Sequence, residues 1–397
     1  MKIKAVKTFL CNCYRTNWVF VKVETDTDGL HGWGEATLEY KEQTVEAAIH
    51  DLEYYLIGSD PGNIELFRRD CYRDAYWRGG PVLMSALAGI EMALWDIKGK
   101  ALGVPVFELL GGRVRDSIPC YVNGWFAPAK TPEEFAEKAV AAREAGFRGV
   151  KWDPFGKAWL ELEKNELERA VRCVREVSRS AGSDMELLIE GHGRFNIPTA
   201  LRIARHLEEF DVYWFEEPVP PDSPEALAEV KRRSRVPIAA GERLYNRYEY
   251  RTFFEHECAD FVQPDVSHAG GILEMRMIAS MAESRHIPFC PHNPSGPVAN
   301  AATLQLAACT PNFARLETMF SDVPYRADIS DEELVIRNGE MLIGKRPGLG
   351  IELREEELKK HPYVRTNLRH YNNTLTDIRP AGSQKYYRLQ PAASSSV

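Results

Sequence analysis

The sequence predicts an α/β protein built on a parallel barrel, preceded by a smaller α+β domain. Three observations carry that prediction. From about Ile118 onward, short apolar runs alternate with amphipathic stretches of helical period. Eight such runs occur, the number that closes a (β/α)8 barrel. Polar and ionisable residues stand at the ends of most of these runs, where loops of a barrel build their chemistry. An open, doubly wound sheet is the alternative, but no glycine-rich dinucleotide fingerprint follows the first run.

Residues 1–117 read as the α+β domain. "IKAVKTFL" and "WVFVKVETD" are strand-like, and "TDTDGLHGWGE" supplies a turn between extended pieces. Helical periodicity then covers about 42–57 and 82–102, the second stretch ending at a glycine. The barrel is assigned to 118–320, with strands at 118–123, 149–153, 186–190, 212–216, 237–241, 260–264, 287–291 and 312–317. Residues 321–390 lose the alternation and read as short extended pieces packing back onto the first domain. The tail 391–397, "PAASSSV", has the composition of a disordered end.

The strand ends, taken in order, converge on one face of such a barrel. Strand two ends Lys151-Trp152-Asp153, strand three in Glu190, strand four in Glu216-Glu217-Pro218 and strand five in Gly241-Glu242-Arg243. Strand six ends Gln263-Pro264-Asp265, strand seven Pro291-His292-Asn293, and strand eight holds Glu317. Glu190, Glu216 and Glu242 are spaced 26 residues apart, one βα unit each time. Three converging carboxylates repel unless a cation joins them. An all-oxygen set suits a hard ion such as Mg²⁺. Any one of these acids could instead cap the following helix; three at the same station of consecutive strands argue for a shared role. Asp265 beside His292 would fix an imidazole tautomer and raise its basicity, the arrangement of a general base. His192, two residues beyond Glu190 in "EGHGRF", is placed to reach the same substrate.

The chain has 397 residues and a formal net charge of −8. That balance disfavours general nucleic-acid binding. No apolar run approaches a membrane span, and the N-terminus is too charged for a signal peptide. Eight cysteines without a C-x-x-C pair argue against zinc-ribbon or redox roles. They suit a reducing, cytoplasmic setting.

Several motifs together resemble the enolase superfamily, specifically its mandelate racemase-like branch and the sugar-acid dehydratases within it. They are "GIEMALWDIKGKALGVPVFELLGG", "WFEEP", "GERL" and "PHNPSGP". The resemblance implies an α+β capping domain over a modified (β/α)7β barrel. It implies one Mg²⁺ held by Glu190, Glu216 and Glu242, and a reaction that begins with loss of the proton α to a substrate carboxylate. It implies that Glu317, protonated at that moment, hydrogen-bonds an oxygen of the resulting anion. Racemases of this branch often have Lys-x-Lys at strand two, whereas this chain has Lys151-Trp152-Asp153. Dehydration needs one base and one acid, which His292 with Asp265, and His192, can supply. The expected activity is therefore dehydration of an aldonate of the gluconate or galactonate class. A racemase, epimerase or lactone cycloisomerase using Asp153 or Lys151 as second base is the alternative, and a non-catalytic sugar-acid binder is a third reading. Arg194, Asp153 and Glu217 are expected to contact substrate. Tyr14, Arg15, Trp18 and Trp77, in "CNCYRTNW" and "YWRGGP", are expected to read its distal hydroxyls. The resemblance also implies an even-numbered homo-oligomer.

Overall fold

The computed structural model describes residues 1–391; most of the tail expected to be disordered lies outside them. The chain opens with an antiparallel sheet of β1 (Ile3–Asn12), β2 (Asn17–Thr25) and β3 (His31–Glu35). The helices α1 (Glu42–Leu56), α2 (Ile64–Arg68), α3 (Pro81–Leu102) and α4 (Val106–Leu109) follow. The central α3 is buried along most of its length. Pro81 suits its first turn, and Gly103 ends it in the left-handed region at φ 70°.

The barrel follows as β4 (Ser117–Asn123), α5 (Pro132–Glu144), β5 (Gly149–Trp152), α6 (Lys164–Ala181), β6 (Glu186–Glu190), α7 (Ile197–Leu207), β7 (Trp214–Glu216), α8 (Pro224–Arg233), β8 (Ile238–Ala240), α9 (Arg247–Glu255), β9 (Phe261–Val262), α10 (Ile272–Glu283), α11 (Pro297–Cys309) and β10 (Leu316–Met319). The pairings from β4 through β9 are all parallel, and β10 returns to pair with β4.

The strand expected over 287–291 is reduced to one bridging residue, Phe289, which pairs with Val262 on one side and Phe313 on the other. The reason is local: Pro288 and Pro291 have no N–H to contribute to a ladder. Four backbone hydrogen bonds still carry the ring across this gap. Val262 donates to Pro288 (3.1 Å), Cys290 to Val262 (2.9 Å), Phe289 to Asn312 (2.8 Å) and Ala314 to Phe289 (2.9 Å). Seven helices thus separate eight strand positions, and no comparable helix precedes the next strand after β10.

The C-terminal part does more than pack back on the first domain. Residues around 349–364 do so: Leu349 N–H donates to Asp96 (2.8 Å), Trp33 Nε1 to Glu352 (3.0 Å) and Asn12 N–H to His361 (2.8 Å). However, β11 (Leu334–Arg337), β12 (Glu340–Leu342) and β13 (Tyr387–Gln390) extend the barrel sheet, with β12 antiparallel to the start of β4. A stretch around 369–378 then returns to the barrel mouth.

The two domains are joined by buried acids that cap helices of the other domain. α10 and α11 begin at Gly271 and Gly296, neither of which has a side chain to cap the helix. Glu91 of α3 accepts the N–H groups of Ile272 (2.8 Å) and Leu273 (2.9 Å). Glu35 of β3 accepts those of Gly296 (2.7 Å) and Ala299 (2.9 Å). Both satisfy first-turn donors that the helix itself leaves open, at the end where its dipole favours negative charge. A Cβ at Gly296 would stand 2.7 Å from the Glu35 carboxylate, so the missing side chain is what admits the acid.

Candidate active site

Strand ends, capping-domain loops and the returning C-terminal stretch enclose one cavity of about 310 Å³. That volume falls within the ~300–1,000 Å³ usual for small-molecule sites. Lys151, Glu190, His192, Glu242 and His292 line it from the barrel. Arg15, Glu39 and Tyr40 line it from the first domain, and Arg369 and His370 from the C-terminal stretch.

Glu190, Glu216 and Glu242 end β6 and β7 and follow β8. One oxygen of each lies within 4.8 Å of the others. Burial, together with the neighbouring Glu216 charge, pushes the Glu190 carboxyl well above the usual carboxylate range. Burial works the same way on Glu216, but the Lys151 ammonium beside it brings that group down to about 2. Lys151 Nζ stands 2.6 Å from Glu216, 3.2 Å from Glu317 and 3.6 Å from Glu190. Burial opposes its charge, yet Glu216 and Glu317 more than offset this and hold it well above its ordinary range. The donor set is oxygen-only and its negative charge exceeds what one ammonium balances. It fits a hard divalent cation.

Two imidazole–carboxylate pairs flank these acids. His292 Nδ1 lies 2.8 Å from Asp265 Oδ2. Burial disfavours the imidazolium, but Glu242 and Asp265 raise it to about 10. His192 Nδ1 lies 2.7 Å from Asp153 Oδ2. The "EGHGRF" turn makes this possible. His192 and Gly193 both take left-handed backbone, φ 49° and 59°, and the His192 N–H donates to Glu190 at 2.6 Å. His192 comes from the third strand position and His292 from the seventh, half a ring apart.

Several expected substrate contacts are placed otherwise. Asp153 borders the cavity, but its oxygens are occupied. Oδ2 accepts from Arg194 Nη2 (2.6 Å) as well as facing His192, and Oδ1 accepts the Phe155 N–H (2.8 Å). Arg194 is fully buried beneath the turn and also donates to Gly191 (3.0 Å) and Gly156 (2.6 Å), so it braces the loop. Glu217 binds Arg243, and it is Arg243 that reaches the cavity. Glu317 lies beside Lys151, with both oxygens accepting, from Asn123 Nδ2 (2.9 Å) and the Asn293 N–H (2.9 Å). Of the four capping-loop residues only Arg15 lines the cavity. Trp18 is buried in the first domain's core, while Tyr14 and Trp77 face solvent.

Sequence reasoning missed Glu39, Arg243, His268 and His370. His268 follows Asp265 by three residues, and its Nε2 faces the Thr37 carbonyl at 3.0 Å. Its place after the sixth strand was a usable signal. Glu39 and His370 had none, because their neighbourhood in the cavity is made by distant segments.

A closed parallel barrel under an α+β cap, with three acids at the ends of consecutive strand units, defines the enolase type of capped barrel. Residues 134–357 match the enolase C-terminal domain-like family. Residues 2–111 match the mandelate racemase/muconate lactonizing enzyme N-terminal domain. The chain belongs to the mandelate racemase/muconate lactonizing enzyme family of the enolase superfamily. It is 38% identical over 363 residues to a D-galactonate dehydratase of Pectobacterium atrosepticum, covering 90% of this chain and 93% of that one. It is equally identical over 367 residues to the D-galactonate dehydratase of Xanthomonas axonopodis pv. citri, covering 91% and 94%. The structure of a mandelate racemase/muconate lactonizing enzyme-like protein from Roseovarius sp. superposes with a TM-score of 0.87 at 32% identity, covering 93% and 97%. Among the described residues, no helix is long and apolar enough to cross a membrane.

Proposed function

We propose that this protein dehydrates an aldonate sugar acid of the galactonate or gluconate class to a 2-keto-3-deoxy acid. The observation that carries the reading is the pair of imidazole–carboxylate couples, His292–Asp265 and His192–Asp153, facing one cavity from opposite sides of the acid cluster. One couple suits proton removal at C2 and the other proton delivery at C3.

Glu190, Glu216 and Glu242 would hold one Mg²⁺, which when bound supplies charge stabilisation for an anionic substrate. Asp265 holds His292 with Nδ1 engaged; a cation on Glu242 would offset the charge that raises this imidazole, so that it would be neutral and its Nε2 free to take the C2 proton. The C2–H electrons enter the C1–C2 bond as an enediolate. Lys151 sets a positive charge beside that end of the cavity, the preorganised electrostatics such an anion needs. The enediolate then collapses to a C2–C3 double bond and the C3–O bond breaks. His192, oriented by Asp153, gives the departing hydroxyl a proton so that it leaves as water. The enol product tautomerises to the ketone.

The epimerase alternative needs a second free base. Asp153 is bound to His192 and Arg194, and Lys151 sits among three carboxylates, so neither suits that task. The eight unpaired, buried cysteines support a cytoplasmic setting. The family resemblance supports a homo-oligomer. The test is a panel of aldonates and aldarates incubated with Mg²⁺ and read by ketonate formation. Galactonate or gluconate should give ketonate. Conversion of every tested acid only to its epimer, or no conversion at all, would reject the reading.

A further inference from the structure

The cavity contains an imidazole that the mechanism above does not use. His370 stands on the C-terminal stretch that returns over the barrel mouth, about 180 residues from the turn it meets. Its ring centroid lies 4.4 Å from that of His192, at 68° between planes. Its own carbonyl and the side chain of the next residue are tied to the same turn. Arg194 Nη1 approaches the His370 carbonyl at 3.5 Å, and Tyr371 Oη reaches the His192 carbonyl at 3.4 Å. Arg369 donates to the carbonyls of Tyr14 (3.2 Å) and Asp377, and Lys130 Nζ holds Thr376 (2.9 Å) and Asp377 (2.7 Å). The stretch is therefore fastened to the cap and to the barrel at once.

Two consequences follow. The His192 ring is bounded by Asp153 through Nδ1 and by the edge-to-face His370 ring on another side, which leaves little freedom in its swing. No described protein group hydrogen-bonds the His370 ring itself, although that ring lines the cavity. A neutral imidazole carries one donor and one acceptor. Burial, reinforced by repulsion from His192, keeps this one neutral by bringing it down to about 3. Two ring nitrogens free of described protein partners, on a half-buried side chain at a polyol-sized cavity, can exchange water for a substrate hydroxyl.

We infer that His370 is a further active-site residue, hydrogen-bonding a substrate hydroxyl through its ring nitrogens while its ring positions His192. The hydroxyl assignment rests on the sugar-acid reading above.

Two variants of the full chain separate the two roles. His370→Phe keeps a flat ring against His192 and removes the nitrogens. It should raise KM for the best aldonate about tenfold, the worth of one hydrogen bond, with kcat within about threefold of wild type. His370→Ala removes the wall too. It should also lower kcat at least tenfold while C2–deuterium exchange, which uses His292 and not His192, persists in D₂O. Calorimetry of the same aldonate with Mg²⁺ in a His292→Asn background, with and without His370→Phe, reads the lost contact without turnover. A tenfold loss of affinity there supports the assignment. Unchanged affinity together with unchanged KM overturns the hydroxyl contact, and unchanged kcat in His370→Ala overturns the positioning role. If the wild type binds an aldonate but makes no ketonate, the dehydratase reading fails, and the calorimetric pair still decides the fate of His370.

Discussion

Replacing Asp153 by Asn is the sharpest perturbation of the proposed acid, because it changes one charge and almost no volume. The Asp153 side chain is 1% exposed and serves three donors: His192 Nδ1, Arg194 Nη2 and the Phe155 N–H. Burial would raise its pKa, but Arg194 and His192 together hold the carboxyl below the usual range. An amide has one acceptor oxygen, so at least one of the three donors would face an NH₂ group. Arg194, 0% exposed, would lose its only carboxylate partner among the described residues. Removing one member of a buried ion pair costs about 3–5 kcal/mol. Arg194 keeps its contacts to the Gly191 and Gly156 carbonyls, which places the expected loss near the lower figure. For a chain of this length, ~3 kcal/mol lowers Tm by only ~4 °C. The catalytic loss is expected to be far larger. Without Asp153 nothing fixes the His192 tautomer, and loss of a general acid costs roughly 10²–10⁴-fold. The assay pairs ketonate formation with NMR of recovered aldonate after incubation in D₂O. Dehydration should collapse while C2 exchange continues through His292. Dehydration within a factor of five of wild type would refute the claim that Asp153 orients the acid.

Glu216→Gln should abolish turnover and weaken Mg²⁺ binding by calorimetry, with circular dichroism unchanged because Lys151 retains Glu317 and Glu190. His292→Asn should lose both dehydration and C2 exchange; surviving exchange would place the base elsewhere. Glu91 is buried and pushed up to about 7, so the folded protein holds a proton between about pH 4.5 and 7 that the unfolded chain has released. Stability from this group is therefore complete below pH 4.5 and is lost as pH rises through 7, by roughly 3 kcal/mol. Urea titrations between pH 4.5 and 7 should show a decline in wild type that exceeds that of Glu91→Gln by this amount, the variant keeping the decline due to Glu35 and Glu217, which burial also pushes up to about 7.

The barrel was legible because its signal is repetitive. Eight apolar runs at regular intervals identify parallel strands even when several shrink, as 287–291 does under its two prolines. The three acids, His292 and Asp265 were legible for the same reason, since each stands at the same station of its unit. What could not be read are the partners. Asp153, Arg194, Glu217 and Glu317 were all expected at the substrate, and each is also engaged within the protein: Asp153 with His192, Arg194 with Asp153 and the turn's carbonyls, Glu217 with Arg243, and Glu317 with Lys151. A sequence shows which strand end a polar residue occupies, but not whether its lone pairs are already spent on a neighbour. The capping loops failed differently. Tyr14, Arg15 and Trp18 share one short segment, yet only Arg15 reaches the cavity, because facing within an irregular loop follows no period.

The placement of Glu35 and Glu91 ties these two halves of the problem together. The cap contributes Arg15, Glu39 and Tyr40 to the cavity, and their positions there depend on how the cap sits on the barrel. Apolar packing alone is non-directional and would tolerate small slides of one domain over the other. Two carboxylates that each accept two helix-terminal N–H groups do not tolerate them, since hydrogen bonds weaken steeply with misalignment. The helices they cap are the ones that follow the Asp265 and His292 loops. A shift of the cap would therefore disturb the His292–Asp265 pair and the cap residues that line the cavity together. The glycines in "HAGGIL" and "PSGPVA", which look like ordinary loop residues in the sequence, are the sites where the cap's acids enter the barrel. Their lack of side chains links the cap residues that line the cavity to the loops that carry Asp265 and His292.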